Sequence, residues 1–175
     1  MKYLLPALIL VVVACKNDNP KMEVANPNWS KDESIKMNSE FAAEEDNEID
    51  VFLMTRPDWK MKETGTGLRY MIYKNGIGTD SAKVGDAVTV DFEITLLSGE
   101  ICYSSKENGA ETFLVEKSDI ESGLHEGIKY LTVGDRAKFI IPSRAAHGLI
   151  GDTDKIPPLS PVIYDIELLK IDKND

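Results

Sequence analysis

The chain has 175 residues, 42% of them hydrophobic, with 20 Lys or Arg against 30 Asp or Glu, a formal charge of −10 at pH 7. That length buries one sizeable core with an accessory element attached. The charge argues against non-specific nucleic-acid binding, because phosphate attraction requires a basic face and none is present.

The first fifteen residues read as a targeting segment: Lys2 is a positive start, Leu4 to Val13 an apolar run broken by Pro6, and Ala14 a small residue before Cys15. The run is too short to span a bilayer permanently. Val12-Val13-Ala14-Cys15 resembles the bacterial lipobox, in which cleavage leaves an acylated N-terminal cysteine. It implies a signal peptide over residues 1–14, a membrane anchor through lipid on Cys15, and a cell-envelope location at the outer membrane, on a side left open. Cys102 is the other cysteine, so no disulfide framework is expected.

Residues 16–29 are polar, with Pro20 and Pro27, and read as a tether. Ser30 and Glu33 form a capping-box pattern that predicts a helix running to Met54, stopped by Arg56-Pro57. Between Lys31 and Asp50 it carries eight Asp or Glu against two Lys. Its apolar positions Ile35, Ala42, Ile49 and Phe52 form a thin stripe, predicting packing along one line against its own domain or another subunit. Residues 15–62 are therefore tether and helix, and residues 63–175 the main domain.

Strands are predicted at residues 68–74, 88–96, 100–104, 112–115 and 137–141, with a polar loop over residues 106–109. Val88, Val90, Phe92, Ile94 and Leu96 alternate strictly, the mark of a strand with one buried face. Ser118 and Glu121 repeat the capping-box pattern before Ile120, Leu124, Ile128 and Leu131, one apolar helical face, and Gly134 is expected to close that helix. Val162, Tyr164, Ile166 and Leu168 alternate with a mixed set in a last long strand. The fold class is α+β, an antiparallel sheet with one short inserted helix.

Only two histidines are available for base or metal chemistry, His125 and His147, and His125 is expected to be exposed. No HExxH, CxxC or GxSxG pattern occurs, neither histidine has a second ligand at metal spacing, and no metal or cofactor is implied. Chemistry that needs neither remains open. Rotation about an X–Pro amide is slow because resonance holds it planar with a barrier of ~18–20 kcal/mol, and an apolar cup that favours the twisted form lowers that barrier.

The motifs that favour this reading lie in residues 123–171. They are the Gly123-to-Gly127 helix, Val133-Gly134-Asp135-Arg136-Ala137, Ala146-His147-Gly148, Ile156-Pro157-Pro158 and Tyr164-Asp165-Ile166-Glu167-Leu168-Leu169. In this order they resemble the FKBP-type peptidyl-prolyl isomerases over residues 67–172. The resemblance implies a twisted antiparallel half-barrel wrapped around the short helix, with proline-containing polypeptides as substrates. It also implies a pocket wall of Phe92, Cys102, Tyr103 and Phe113, with Ile120 and Glu121 opening the helix and the Glu121 N–H facing a substrate carbonyl. Leu124 would be the floor, His147 would reach in from the long loop, Ile156 would line the rim and Tyr164 would close the back. Phe92, His147 and Tyr164 are then the catalytic candidates. Without the resemblance, Phe92 and Tyr164 read equally as core, Cys102 as a small buried hydrophobe and His147 as a surface histidine.

Five positions depart from the family: Cys102-Tyr103 stand where it usually has Phe-Asp, Glu121 where it has Ile, Leu124 where it has Trp, and His147 where it has Tyr. The lipobox, acidic helix and altered pocket resemble the gliding-motility-associated FKBP-type lipoproteins, which implies assistance in folding exported or envelope proteins. The rival reading is a weakly active or inactive FKBP-fold binding or assembly module. In either case the helix over residues 30–54 could serve as a dimerisation arm.

Overall fold

Period-two alternation at residues 88–96 and 162–168 sets the architecture. The computed structural model describes residues 30–174; the leader, Cys15 and the tether lie outside the described residues. The two alternating segments become the longest strands, β3 (Ala87–Leu96) and β7 (Val162–Asp172), antiparallel neighbours at the middle of the sheet. Beyond β7 come β6 (Arg136–Ile141), β2 (Arg69–Lys74) and the edge pair of residues β1 (Lys62–Glu63). On its other side β3 is shared, its first half pairing with β5 (Glu111–Leu114) and its second with β4 (Ile101–Ser104). Register shifts at Thr89/Val90 and Ile94/Thr95 of β3 add local twist, which curls the sheet. The α+β class and the open antiparallel sheet expected from the sequence are both present.

The sheet is covered on both faces. On one, α3 (Ser122–Ile128) lays Leu124 and Ile128 against Phe92, Phe139, Ile141 and Ile166, all buried. Two glycines permit that approach. A Cβ on Gly123 would lie 2.2 Å from Ile141 Cγ2, and one on Gly127 2.7 Å from the Phe139 ring, so any side chain there would push helix and sheet apart.

The opposite face is covered by α1 (Lys31–Met54), capped as expected by Ser30, whose Oγ accepts from the Glu33 N–H at 3.2 Å while Glu33 accepts from the Ser30 N–H at 2.9 Å. Ile140 of β6 and Ile163 of β7 are cross-strand partners pointing away from α3, and fully buried Ile49 sits on them with Phe52, Leu53, Trp59 and Met61 around it. Only the C-terminal half of the predicted stripe is used: Ile35 remains 55% exposed. The helix is further held by Arg69, which is 4% exposed and pairs with Asp50 at 3.1 Å and Asp46 at 3.4 Å. No helix among the described residues is long and apolar enough to cross a membrane.

Three local expectations fail. Residues 106–108 of the loop expected over 106–109 belong instead to a single helical turn, α2 (Ser105–Asn108), whose cap is Ser104 and which Gly109 ends. The second capping box does not form: Ser118 Oγ accepts from the Leu114 N–H at 2.9 Å, and the Glu121 carboxylate accepts from the Tyr164 hydroxyl at 3.1 Å, leaving neither side chain for the helix end. Gly134 is left-handed, with φ +90°, but in the turn into β6 rather than at the end of α3. There its N–H donates to Leu168 O at 2.7 Å.

Candidate functional site

Curling of β3 and β7 over the start of α3 leaves a cavity of about 520 Å³. Its walls are built by alternation: Val90, Phe92 and Ile94 project from β3, Phe113 from β5 and Tyr164 from β7. Leu124, 5% exposed, lies at the base, and Ile120, Glu121 and Ser122 form the side where α3 begins. The connection between β6 and β7 contributes Ala146, His147 and Asp152. The Phe92 and Tyr164 rings meet at 6.3 Å between centroids, tilted by 42°. Such a cup takes a small apolar ring with a few polar groups to orient it.

Those polar groups form two sets. In the first, Glu121 Oε1 accepts from the Tyr164 hydroxyl, and His147 Nε2 lies 2.8 Å from the same oxygen. That second approach is misaligned for a hydrogen bond, so Nε2 is a buried polar atom with no hydrogen-bond partner among the described residues. Burial, reinforced by the Glu121 carboxylate, holds the Tyr164 hydroxyl well above the ordinary phenol range, so it stays a donor. In the second set the Tyr103 hydroxyl donates to Asp152, whose other oxygen accepts from the N–H groups of Asp154 at 2.9 Å and Ile156 at 2.8 Å. Burial alone would raise the Asp152 carboxyl, but these three donors outweigh it and bring it down to about 2. The Tyr103 phenol is pushed up by the same bond and by burial.

The structure thus gathers Phe92, Tyr103, Phe113, Ile120, Glu121, Leu124, His147 and Tyr164 around one cavity. Two expected residues lie elsewhere. Cys102, 2% exposed, points from β4 into the core with its Sγ 3.7 Å from Lys155 O, and burial raises its thiol. Ile156, also 2% exposed, is pulled under the loop by its bond to Asp152 and packs in the core instead of on the rim.

Comparison with known proteins agrees with this geometry. The profile of the FKBP-type peptidyl-prolyl cis-trans isomerase family matches residues 78–169. The chain belongs to that family. It is 40% identical over 112 residues to the probable FKBP-type peptidyl-prolyl cis-trans isomerase FkpA of Neisseria meningitidis serogroup B, covering 63% of this chain and 40% of that one. It is 36% identical over 107 residues to the peptidyl-prolyl cis-trans isomerase Fkbp12 of Drosophila melanogaster, covering 61% of this chain and 99% of that one. A crystal structure of FkpA from Escherichia coli shares the fold, with a TM-score of 0.62 and 24% identity over 83% of this chain and 74% of that one. The chain spans about two fifths of the length of the FkpA proteins it matches.

Within the FKBP frame, the departures in this cavity are not independent. Glu121 is satisfied by Tyr164 and approached by His147, and Tyr103 is satisfied by Asp152, so three of the unusual residues enter hydrogen-bonded or close polar contacts. Leu124 is simply apolar floor.

Two functional features escaped the sequence reading. Asp152, in Asp152-x-Asp154, turns the loop through its own side chain, a local signal that turn chemistry could have supplied. His125 is buried instead of exposed: its Nδ1 accepts from the Glu116 N–H at 2.9 Å, and Nε2 lies 3.0 Å from Ser118 O. Both ring nitrogens staple the turn beside β5, where Glu116 has φ 58°, and no local sequence pattern marks that role.

Proposed function

We propose that this FKBP-type chain accelerates cis–trans exchange about X–Pro bonds, with the 520 Å³ cavity as its catalytic site. The observation that carries the reading is His147 Nε2, a buried polar atom at the wall of an aromatic cup, which stands 2.8 Å from Glu121 Oε1 yet has no hydrogen bond among the described residues. Buried polar groups are nearly all satisfied in folded proteins, so a group like this marks a place where a ligand supplies the partner. The proline ring seats on Leu124 between Phe92, Phe113 and Tyr164, while His147 and the Glu121 N–H donate to carbonyls flanking it. A twisted amide has lost resonance, and its nitrogen and carbonyl are better matched by an apolar cup with a few fixed donors than by water.

The test is catalysis of exchange in an X–Pro peptide by the fragment from Lys16 onward. Acceleration is expected, with His147→Ala lowering kcat/KM roughly fivefold, the effect of one net hydrogen bond of ~1 kcal/mol. Absence of acceleration with peptide binding retained would instead make the chain an FKBP-fold binding or assembly module.

The lipobox-like Val12-Val13-Ala14-Cys15 supports a finer reading: lipid on Cys15 anchors the chain to the envelope, at the outer membrane, where it assists exported or envelope proteins, gliding-motility components among them. Cys15→Ser is expected to abolish lipid labelling and membrane fractionation, and labelling that survives the change would end the anchor reading. The half-exposed Ile35 on α1 supports the arm function, a dimer that sedimentation equilibrium would report as twice the monomer mass.

A further inference from the structure

Three buried carboxylates among the described residues take no part in the cavity: Asp86, Asp135 and Glu45. Glu45, on α1, is 7% exposed although it sits in the most acidic stretch of the chain. Its Oε1 accepts from the backbone N–H of Ser143, and Arg144 Nη1 lies 3.5 Å from Oε2. Ser143 opens the 3-10 turn Ser143–Ala145 that follows β6. The carbonyl of the same Ser143 accepts from the N–H of Ala146 at 2.9 Å and from the N–H of Gly148 at 2.8 Å. Those two amides flank His147. The Ser122 hydroxyl braces the turn from the α3 side by donating to Ala145 O at 3.4 Å.

We propose that Glu45 is a positioning residue for the His147 loop: through the Ser143 backbone, the N-terminal helix sets where His147 stands in the cavity. The proposal rests on the isomerase reading only for its activity arm. Its physical basis is that the carboxylate anchors the Ser143 backbone by its N–H, which fixes where the Ser143 carbonyl stands to accept from Ala146 and Gly148, and polarises the Pro142–Ser143 peptide, whose own carbonyl accepts from the Ala145 N–H at 2.8 Å. Burial raises the Glu45 carboxyl above its ordinary value despite the Ser143 bond, so holding the charge there costs stability. An apolar side chain there, against Phe41 and Leu149 of the adjoining groove, would remove the cost of the charge but leave the buried Ser143 N–H without its acceptor. The helix lies outside residues 78–169, the segment that the family profile matches.

The experiment compares Glu45→Ala, Glu45→Asp and Glu45→Gln in the chain from Lys16 onward. Two readouts are taken: kcat and KM on an X–Pro peptide, and amide hydrogen exchange at Ala146 and Gly148 beside that of Phe139 and Ile166 in the core. Ala removes the acceptor and Asp retracts it by one methylene, whereas Gln keeps an acceptor oxygen in place. We expect exchange at Ala146 and Gly148 to rise roughly five- to tenfold for Ala and Asp, with Phe139 and Ile166 unchanged, and far less for Gln. We expect kcat to fall with KM little altered, since the residue sets the geometry of a donor. Local exchange at wild-type level in Asp and Ala overturns the proposal, as does a rise spread equally over the core, or a Gln variant as loose as Ala. Should Ala fail to fold, the Asp and Gln pair decides by the same criteria. If the parent chain accelerates no X–Pro exchange, the isomerase reading falls while the exchange pattern still judges the brace.

Discussion

Asp152 shows how one side chain ties loop shape to pH. Its carboxylate accepts from Tyr103, Asp154 and Ile156, and those donors hold it at about 2, below the ordinary 3.8. A carboxyl with a lowered folded value contributes stability above its unfolded value, and that contribution is lost as pH falls from about 3.8 to about 2. Asp152→Asn is therefore expected to lower Tm by about 3 °C at pH 7 and by nothing near pH 2, read by thermal melts across that range. Under the proposed isomerase function, the charge bears on substrate choice as well. Glu111, Asp119, Glu121 and Asp152 all line the cavity, while no Lys or Arg among the described residues does. A peptide with Lys before proline should be turned over several-fold faster than one with Glu, the ratio shrinking in 0.5 M salt, where the Debye length is only a few ångströms. Equal rates for the two peptides would show that these carboxylates lie too far from the bound chain to act.

At the scale of elements, what the sequence disclosed depended on how far apart the partners lie along the chain. Strands β3 and β7 were legible because alternation is a property of consecutive residues, and the Ser30–Glu33 cap because its partners are three apart. The seating of α1 was legible only in part. Ile49 stood in the predicted stripe, but Ile163 lay on what looked like the mixed face of the last strand, and nothing local says that a helix covers it. Glu45 and Arg69 were hidden for the same reason: each is buried by partners contributed from another element, Ser143 lying 98 residues from Glu45. The cavity followed a similar rule. Phe92, Tyr164 and Leu124 were found because they fall on faces set by local periods, whereas Ile156 turned inward under a loop whose path Asp152 dictates. Ile49→Ala tests the α1 seam. The side chain is fully buried on Ile140 and Ile163, so its truncation leaves a cavity and should cost about 3 kcal/mol in urea unfolding. A cost under about 1 kcal/mol would mean that the helix collapses onto the sheet without strain.

For the whole molecule, the consequence is that the accessory helix and the family domain share strands. β6 turns Phe139 and Ile141 toward α3 and Ile140 toward α1, and β7 does the same with Val162 and Tyr164 against Ile163. Loosening either helix uncovers one face of the same two strands, so the energetic coupling passes through the sheet with no hinge between. Trp59 offers a probe of this. It packs against Phe52 edge to face, with ring centroids 5.8 Å apart, on the α1 side of the sheet, while the far-ultraviolet dichroism reports backbone structure throughout. The two signals are expected to follow one urea transition with a common midpoint, using a Trp29→Phe chain so that Trp59 is the only indole. A fluorescence transition at clearly lower urea than the dichroism would show α1 leaving first, as a separable arm. That outcome would also weaken the Glu45 brace, because a helix that detaches without disturbing β6 cannot fix the loop that β6 feeds.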